Sequence, residues 1–125
     1  MRKLLVIVGG LTLVVMFVST PTPAQAAPTC FGRPATIVGT NGSDVIYGTN
    51  FPDVIASLGG NDSVHARAGG DFICGGDGSD VIFDGKGSDS IDGGTGVDTV
   101  YLCPDGSFDR LANVERFINS SLGCS

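Results

Sequence analysis

Aspartates recur at every ninth position through the middle of the chain. Seven of them share one register, and each is followed two positions later by isoleucine or valine. In six of the seven cases a glycine lies two positions before the aspartate. Carboxylates and exposed backbone carbonyls are oxygen ligands, the type that a hard cation such as Ca²⁺ prefers. The seven aspartates are Asp44, Asp53, Asp62, Asp71, Asp80, Asp89 and Asp98.

The register divides residues 39–101 into seven nonapeptides, each with a six-residue turn and a three-residue strand. In an extended chain alternate side chains face opposite ways, so position eight of every unit points to one face and positions seven and nine to the other. Ile37 precedes the first unit in the same register and predicts one further strand. Position eight is always β-branched: Ile46, Ile55, Val64, Ile73, Ile82, Ile91 and Val100.

This nonapeptide resembles the RTX, or haemolysin-type, calcium-binding repeat GGxGxDxUx, in which U is apolar. The resemblance covers residues 39–101 and implies an all-β fold, a right-handed parallel β-roll (a β-solenoid) in which two nonapeptides make one coil. Each unit then lies beneath the unit two positions later, and Ca²⁺ ions bind between the stacked turns. An N-terminal cap strand is expected at 27–38 and a short C-terminal cap, as a strand or short helix, at 102–125.

The same resemblance implies the ligands of each ion. One turn supplies the carbonyls of positions two and four with its aspartate, and the turn above supplies the carbonyls of positions one and three with its own. Phe51 and Pro52 interrupt the second unit and argue against a full site at Asp53. The expected ligands of the best pair of turns are Gly76, Gly78, Asp80, Gly93, Thr95 and Asp98. The next pair is Leu58, Gly60, Asp62, Gly75, Asp77 and Asp80, and weaker sites pair Asp44 with Asp62 and Asp71 with Asp89.

Simple energetics indicate that such a roll needs its cations. Aspartates stacked about 5 Å apart repel by roughly 3 kcal/mol per pair at an effective dielectric of about 20. One buried aliphatic side chain per nine residues does not offset the conformational entropy lost on ordering the backbone. A disordered acidic linker is the alternative, but disorder does not require an aliphatic residue in register. We therefore expect folding to depend on several Ca²⁺ ions.

The N-terminus predicts export. A basic pair, Arg2 and Lys3, precedes an apolar run over 4–18 and small residues that end at Ala26. This pattern is typical of a secretory signal peptide at 1–26, with cleavage after Ala26, and the run is shorter than the roughly 20 residues of a membrane-spanning helix. Without this segment the net charge changes from −6 to −8. An acidic surface argues against nucleic acid and anionic membranes as partners.

The four cysteines indicate two disulfides. An even number in a short exported chain predicts pairing, and the absence of a CxxC motif argues against zinc. Of the three possible connectivities we favour Cys30 with Cys74 and Cys103 with Cys124, because the second pair would link the C-terminal tail to itself.

Other chemistries have little support in the sequence. An EF-hand needs a closing glutamate between two helices, and Glu115 is the only glutamate. The single histidine, His65, is expected to be a solvated strand residue, which leaves little for acid–base catalysis and predicts that the chain is not an enzyme. The aromatic residues of positions seven and nine are expected to pack laterally. They are Tyr47, Phe72, Phe83 and Tyr101.

The sequence thus predicts a secreted calcium-binding structural or adhesion module. One alternative is a calcium-dependent ice- or carbohydrate-binding surface, although only Thr40 and Thr49 suit an ice-binding file of threonines. The other alternative is an accessory domain of a secreted hydrolase system. A protein or glycan partner is not indicated by the residues.

Overall fold

The computed structural model describes residues 3–9, 12–18 and 25–124, and every regular element in them is a β-strand. The strands are β1 Lys3–Gly9, β2 Thr12–Val18, β3 Thr29–Cys30, β4 Arg33–Pro34, β5 Ile37–Val38, β6 Val45–Tyr47, β7 Val54–Ala56, β8 Ser63–His65, β9 Phe72–Cys74, β10 Val81–Phe83, β11 Ser90–Asp92, β12 Thr99–Leu102, β13 Arg110–Ala112 and β14 Arg116–Asn119.

Ten of these strands form two five-stranded parallel sheets. One has the order β14-β12-β10-β8-β6 and the other β13-β11-β9-β7-β5, so consecutive strands alternate between the sheets. Within the repeats the register is constant at eighteen residues, as in the pairs Ser63 with Val81 and Val81 with Thr99. This arrangement is a parallel β-roll with two nonapeptides per coil, and it confirms the predicted fold class.

The first two strands lie in the predicted signal segment. β1 and β2 pair antiparallel, from Lys3 opposite Val18 to Gly9 opposite Thr12. Residues 1–2, 10–11 and 19–24 lie outside the described part of the chain, so cleavage after Ala26 stays a prediction. Among the described residues, no helix has the length and apolar character needed to cross a membrane.

The core is the single file of aliphatic side chains that the repeat predicted. Six of the seven residues at position eight are fully buried, and Ile46 at the N-terminal end is 7% exposed. Ile37, Leu102, Leu111 and Val114 pack against the ends of this file. Since each coil adds only two such residues, the core is narrow. Contacts between the turns at its two edges must therefore contribute much of the stability.

The turns depend on close approach between successive coils. Gly76 and Gly78 have φ angles of 92° and 124°, which favour glycine. A Cβ on Gly76 would collide with the carbonyl oxygen of Leu58 one coil below. Leu58 and Arg67 occupy the same second position with φ angles of 78° and 77°, so the left-handed turn persists where the residue is not glycine. The stacking of the coils, rather than the local residue, fixes this conformation.

An aromatic ladder covers part of the outer face of the first sheet. Tyr47, His65, Phe83 and Tyr101 occupy position nine of alternate units, and their rings stack with centroids 5.0, 4.5 and 4.8 Å apart. The expectation of lateral packing for these aromatic residues is met. The expectation that His65 is merely solvated is wrong, because its ring lies between those of Tyr47 and Phe83.

Two disulfides fix the terminal segments to the outer faces of the sheets, in the predicted pairing. Cys30 bonds to Cys74 and Cys103 bonds to Cys124. Beside the first bond, the ring of Phe31 lies 5.8 Å from that of Phe72, which also contacts the guanidinium of Arg33. Beside the second, Gly123 approaches Phe83 so closely that a Cβ would lie 2.8 Å from that side chain.

The segment after the repeats extends both sheets. β13 pairs with β11 in a register that places Arg110 opposite Ser90, and β14 pairs with β12 with Arg116 opposite Thr99. The offsets are twenty and seventeen residues instead of eighteen. The turn before β13 is thus two residues longer than a repeat turn, and the offset at β14 is one residue shorter. Strands form here, and no helix does.

We expect Gly76→Ala to destabilise the calcium-loaded protein much more than Gly106→Ala. Both glycines have φ near 90°, at 92° and 86°, but the space around Gly106 is open whereas Gly76 faces a backbone carbonyl. The Gly106 variant should therefore lose only about 1 kcal/mol, the strain of a left-handed alanine. The free energy of unfolding, measured with urea in saturating Ca²⁺, checks this. Equal losses would contradict the close approach between coils.

Candidate metal centre

The position-six aspartates form two stacks, one on each edge of the roll. In every stack the backbone N–H of one aspartate donates to Oδ1 of the aspartate eighteen residues later. The N–H groups of Asp62 and Asp80 do so at 2.8 Å on one edge, and that of Asp71 at 2.7 Å on the other. Each carboxylate therefore holds the turn below it. This hydrogen bond is attractive, and it offsets part of the repulsion between the stacked charges.

The second oxygen of these carboxylates is different. Oδ2 is buried and has no hydrogen-bond partner in five of the seven position-six aspartates, and the same holds for Asp84 at position one of the sixth unit. A buried charged oxygen without a partner is strongly unfavourable, so six in one small domain fit oxygens that coordinate a cation. The six are Asp62, Asp71, Asp80, Asp84, Asp89 and Asp98.

These oxygens point to where backbone carbonyls converge. Oδ2 of Asp80 and the carbonyl oxygen of Gly93 each lie 2.5 Å from the position that a Cβ on Gly75 would occupy. One coil later, a Cβ on Gly93 would likewise lie 2.6 Å from Oδ2 of Asp98. Carboxylate and carbonyl oxygens that meet around an open space fit Ca²⁺, which takes six to eight oxygen ligands. The donor set therefore suits the metal that the repeat implies.

The other predicted carbonyl ligands lie in the same turns and also hold the coils together. The carbonyl of Leu58 accepts from the N–H of Asp77, and that of Gly76 accepts from the N–H of Thr95. The carbonyl of Thr95 accepts from Gly78. A carbonyl oxygen has two lone pairs, so one hydrogen bond leaves it free to contact a cation.

Gly60 and Gly78 are stacked more directly, since a Cβ on Gly78 would collide with the Gly60 carbonyl. The side chain of Asp77 is exposed and accepts a hydrogen bond from the hydroxyl of Thr95, at 2.7 Å. In this position Asp77 can contribute its backbone carbonyl to the site, as the resemblance implies.

The first two units have a different turn. Oδ2 of Asp44 accepts from both the N–H and the hydroxyl of Thr40, at 2.7 and 2.8 Å. Oδ2 of Asp53 accepts in the same way from Thr49, at 2.7 and 3.0 Å. The threonine at position two thus takes the place that a cation would fill. Asp44, which the sequence predicts as a metal ligand, therefore has no buried oxygen without a partner, and Phe51 is not the only feature that sets Asp53 apart.

Three further carboxylates line the stacks, and the nonapeptide register missed them. Asp109 accepts from the N–H of Asp89 at 3.0 Å, and Glu115 accepts from that of Asp98 at 2.8 Å. Asp84, at position one of the sixth unit, accepts from the N–H of Cys103 at 2.9 Å. Asp109 and Glu115 each precede an apolar strand residue by two positions, as the repeat aspartates do, and this spacing was the available signal.

Burial raises the pKa of these carboxyls. Desolvation is the main cause, hydrogen bonds from the turn below oppose it, and neighbouring carboxylates add to it. The pKa reaches about 6 for Asp71 and Asp80 and about 7 for Asp84 and Asp89. For Asp62 and Asp98 the pKa is raised for the same main reason. Without a bound cation, these carboxyl groups therefore take up protons near neutral pH.

Stacked carboxylates and backbone carbonyls, set on the turns of a parallel β-solenoid, are the features of a calcium-binding repeat protein. The family model of the RTX calcium-binding nonapeptide repeat matches residues 38–73 and 75–102 in four copies, which is about half of the chain. The chain belongs to this family, whose repeats bind calcium in a structural role. No curated protein and no solved structure shows a significant match to the chain.

We expect the calcium-free protein to become more stable as the pH falls from about 8 to about 5. Asp71, Asp80, Asp84 and Asp89 have folded pKa values of about 6 to 7, above the ordinary value of 3.8. Between these limits the folded state binds more protons than the unfolded state, so the free energy of unfolding decreases as the pH rises. Urea unfolding and the circular dichroism of the strands in calcium-free buffer measure this. Greater stability at pH 8 would contradict the raised pKa values.

Proposed function

We propose that the protein is a secreted module that folds when several Ca²⁺ ions bind between its stacked turns, and that it serves as a calcium-dependent extracellular structural or adhesion element. The row of buried, unpartnered Oδ2 atoms is the observation that carries this proposal. A fold that buries six such oxygens is favourable only when a cation accompanies them.

The proposed ions lie between consecutive coils along each edge. On the first edge the proposed ligands are Asp62, Asp80 and Asp98 with the carbonyls of their turns, and on the second edge they are Asp71 and Asp89. Asp44 and Asp53 are left out because threonine hydroxyls already fill their free oxygens. The proposed metal sites therefore begin at the third unit.

An extracellular setting is supported by two observations. Both disulfides form, and no cysteine is left free. Disulfides persist in oxidising compartments, where calcium modules need only a Kd of about 10⁻⁴ to 10⁻³ M. The basic and apolar pattern of residues 1–26 gives the proposed route of export.

The other surface functions have less support. An ice-binding file would need free threonine hydroxyls, but those of Thr40 and Thr49 donate to Asp44 and Asp53. A carbohydrate platform would need open aromatic faces, whereas the rings of the aromatic ladder are nearly parallel and cover one another. A role as an accessory domain of a hydrolase system has no feature of the described residues in its favour.

A calcium titration followed by far-ultraviolet circular dichroism tests the proposal. We expect β signal to increase cooperatively between about 10⁻⁴ and 10⁻³ M Ca²⁺. Mg²⁺ is the control and should fail at the same concentrations, because it demands a smaller octahedral shell and dehydrates reluctantly. A protein that is fully folded in chelator, or one that gains no strand signal at ten times this range, would refute it.

A matched pair of variants tests the location of the sites. We expect Asp80→Asn to weaken calcium binding by at least about tenfold, because a charged ligand is lost from the centre of a stack. Asp53→Asn should have a small effect, since Oδ2 of Asp53 already accepts two hydrogen bonds from Thr49. Asparagine retains the oxygen that accepts the backbone hydrogen bond in both cases. Calorimetric titration gives both affinities, and equal effects would show that the threonine turns do not differ from the others.

A further inference from the structure

Three carboxylates from different parts of the chain meet at the C-terminal end of the second edge. Asp84, Asp89 and Asp109 each offer an oxygen within 4.8 Å of the other two. Asp84 and Asp89 are 1% exposed, and Oδ2 of each is buried without a hydrogen-bond partner. The two unpartnered oxygens are the independent sign of a ligand, because a cluster of carboxylates alone would turn outward to water.

The origin of these residues separates the cluster from the pairs between repeats. Asp84 stands at position one of its unit, where the neighbouring units have Gly75 and Gly93. In those units, Oδ2 of the position-six aspartate points toward position one. Asp109 lies beyond residue 102, where the match to the repeat family ends. The longer turn before β13 carries Asp109 back into the stack beside Asp89, and its oxygen accepts the Asp89 N–H at 3.0 Å.

The charges around the cluster favour a cation. The charged side chains that act on Asp84 and Asp89 are carboxylates, namely Asp71, Asp84, Asp105 and Asp109. Ca²⁺ binds oxygen at about 2.3 to 2.6 Å, so two ligands on one ion are at most about 5 Å apart. The spacing of at most 4.8 Å within the cluster meets this limit.

We propose that Asp84, Asp89 and Asp109 together bind one Ca²⁺ ion, and that this ion fixes the C-terminal segment 103–124 to the roll. The site rests on the proposed function, since it uses the same metal. It adds a third side-chain carboxylate where a pair between repeats has two, and calcium affinity rises with the number of charged ligands.

The same ion would join the segment to the repeats, which also meet through β13, β14 and side-chain hydrogen bonds. Oδ1 of Asp84 accepts the N–H of Cys103, and Cys103 is bonded to Cys124. Loss of the ion would leave three carboxylates in mutual repulsion beneath β13. The segment that carries Arg110 and Arg116, both exposed, would then open to proteases while the repeats remain folded.

Two variants and one control test the site. Asp109→Asn and Asp84→Gly each remove one carboxylate. Asparagine keeps the oxygen that accepts the Asp89 N–H, and glycine restores the residue found at position one in the units on either side, so both turns remain possible. Asp53→Asn is the control, because it also removes one carboxylate, lies outside the cluster and belongs to the second unit, far along the chain from segment 103–124.

The number and affinity of bound ions are measured by equilibrium dialysis against Ca²⁺ alone, and the segment is followed by trypsin digestion with mass spectrometry after reduction. We expect Asp109→Asn to bind one ion fewer than the unsubstituted protein, and Asp84→Gly to bind its tightest ion at least about tenfold more weakly. In both, cleavage after Arg110 and Arg116 should become at least about tenfold faster in Ca²⁺, while Asp53→Asn matches the unsubstituted protein.

The inference fails if Asp109→Asn and Asp84→Gly keep the full number of ions, their affinities and the protection of the segment. That result would leave the proposed function intact, because the other ions still bind. If the unsubstituted protein binds no calcium at all, the proposed function fails and the inference fails with it. The two failures are therefore distinguishable in one set of measurements.

Discussion

The stacked carboxylates are the constraint on which the rest of the structure depends. From Asp62 to Asp98, each accepts a backbone N–H from the coil below with one oxygen and buries the other without a partner. The first interaction sets the eighteen-residue register, and the second creates a need for positive charge from the third unit onward. Because the aliphatic core is only one side chain deep per strand, this electrostatic term decides whether the coils stay together.

The repeats made the central fold predictable. An aspartate and a β-branched residue at fixed positions in each of seven units predicted the strands, the buried file from Ile46 to Val100 and the pairing of alternate units. The disulfides also followed the favoured pattern. These features come from local residue types repeated many times, so an error at one unit does not alter the conclusion.

The structure differs from the sequence prediction at residues whose side-chain contacts the repeat register does not specify. Thr40 and Thr49 look like ordinary turn residues, and only the structure shows that they donate twice to an aspartate four positions later. Asp109 was missed because two additional residues in the preceding turn break the period. The residues around His65 predict a solvated side chain, because its stacking depends on neighbours eighteen residues away, Tyr47 and Phe83. The repeat register places these residues, but it does not say which side chains meet and which atoms bond.

The alternation of strands between two sheets restricts how such a chain can change in length. A duplication of two nonapeptides adds one strand to each sheet and returns every later residue to its original side. A single inserted or deleted nonapeptide between Cys30 and Cys74 would instead move all that follows to the opposite sheet, and Cys74 would no longer face its partner. Evolution of this roll by gain or loss of units should therefore proceed in pairs of nonapeptides, because an odd number between Cys30 and Cys74 would prevent that disulfide.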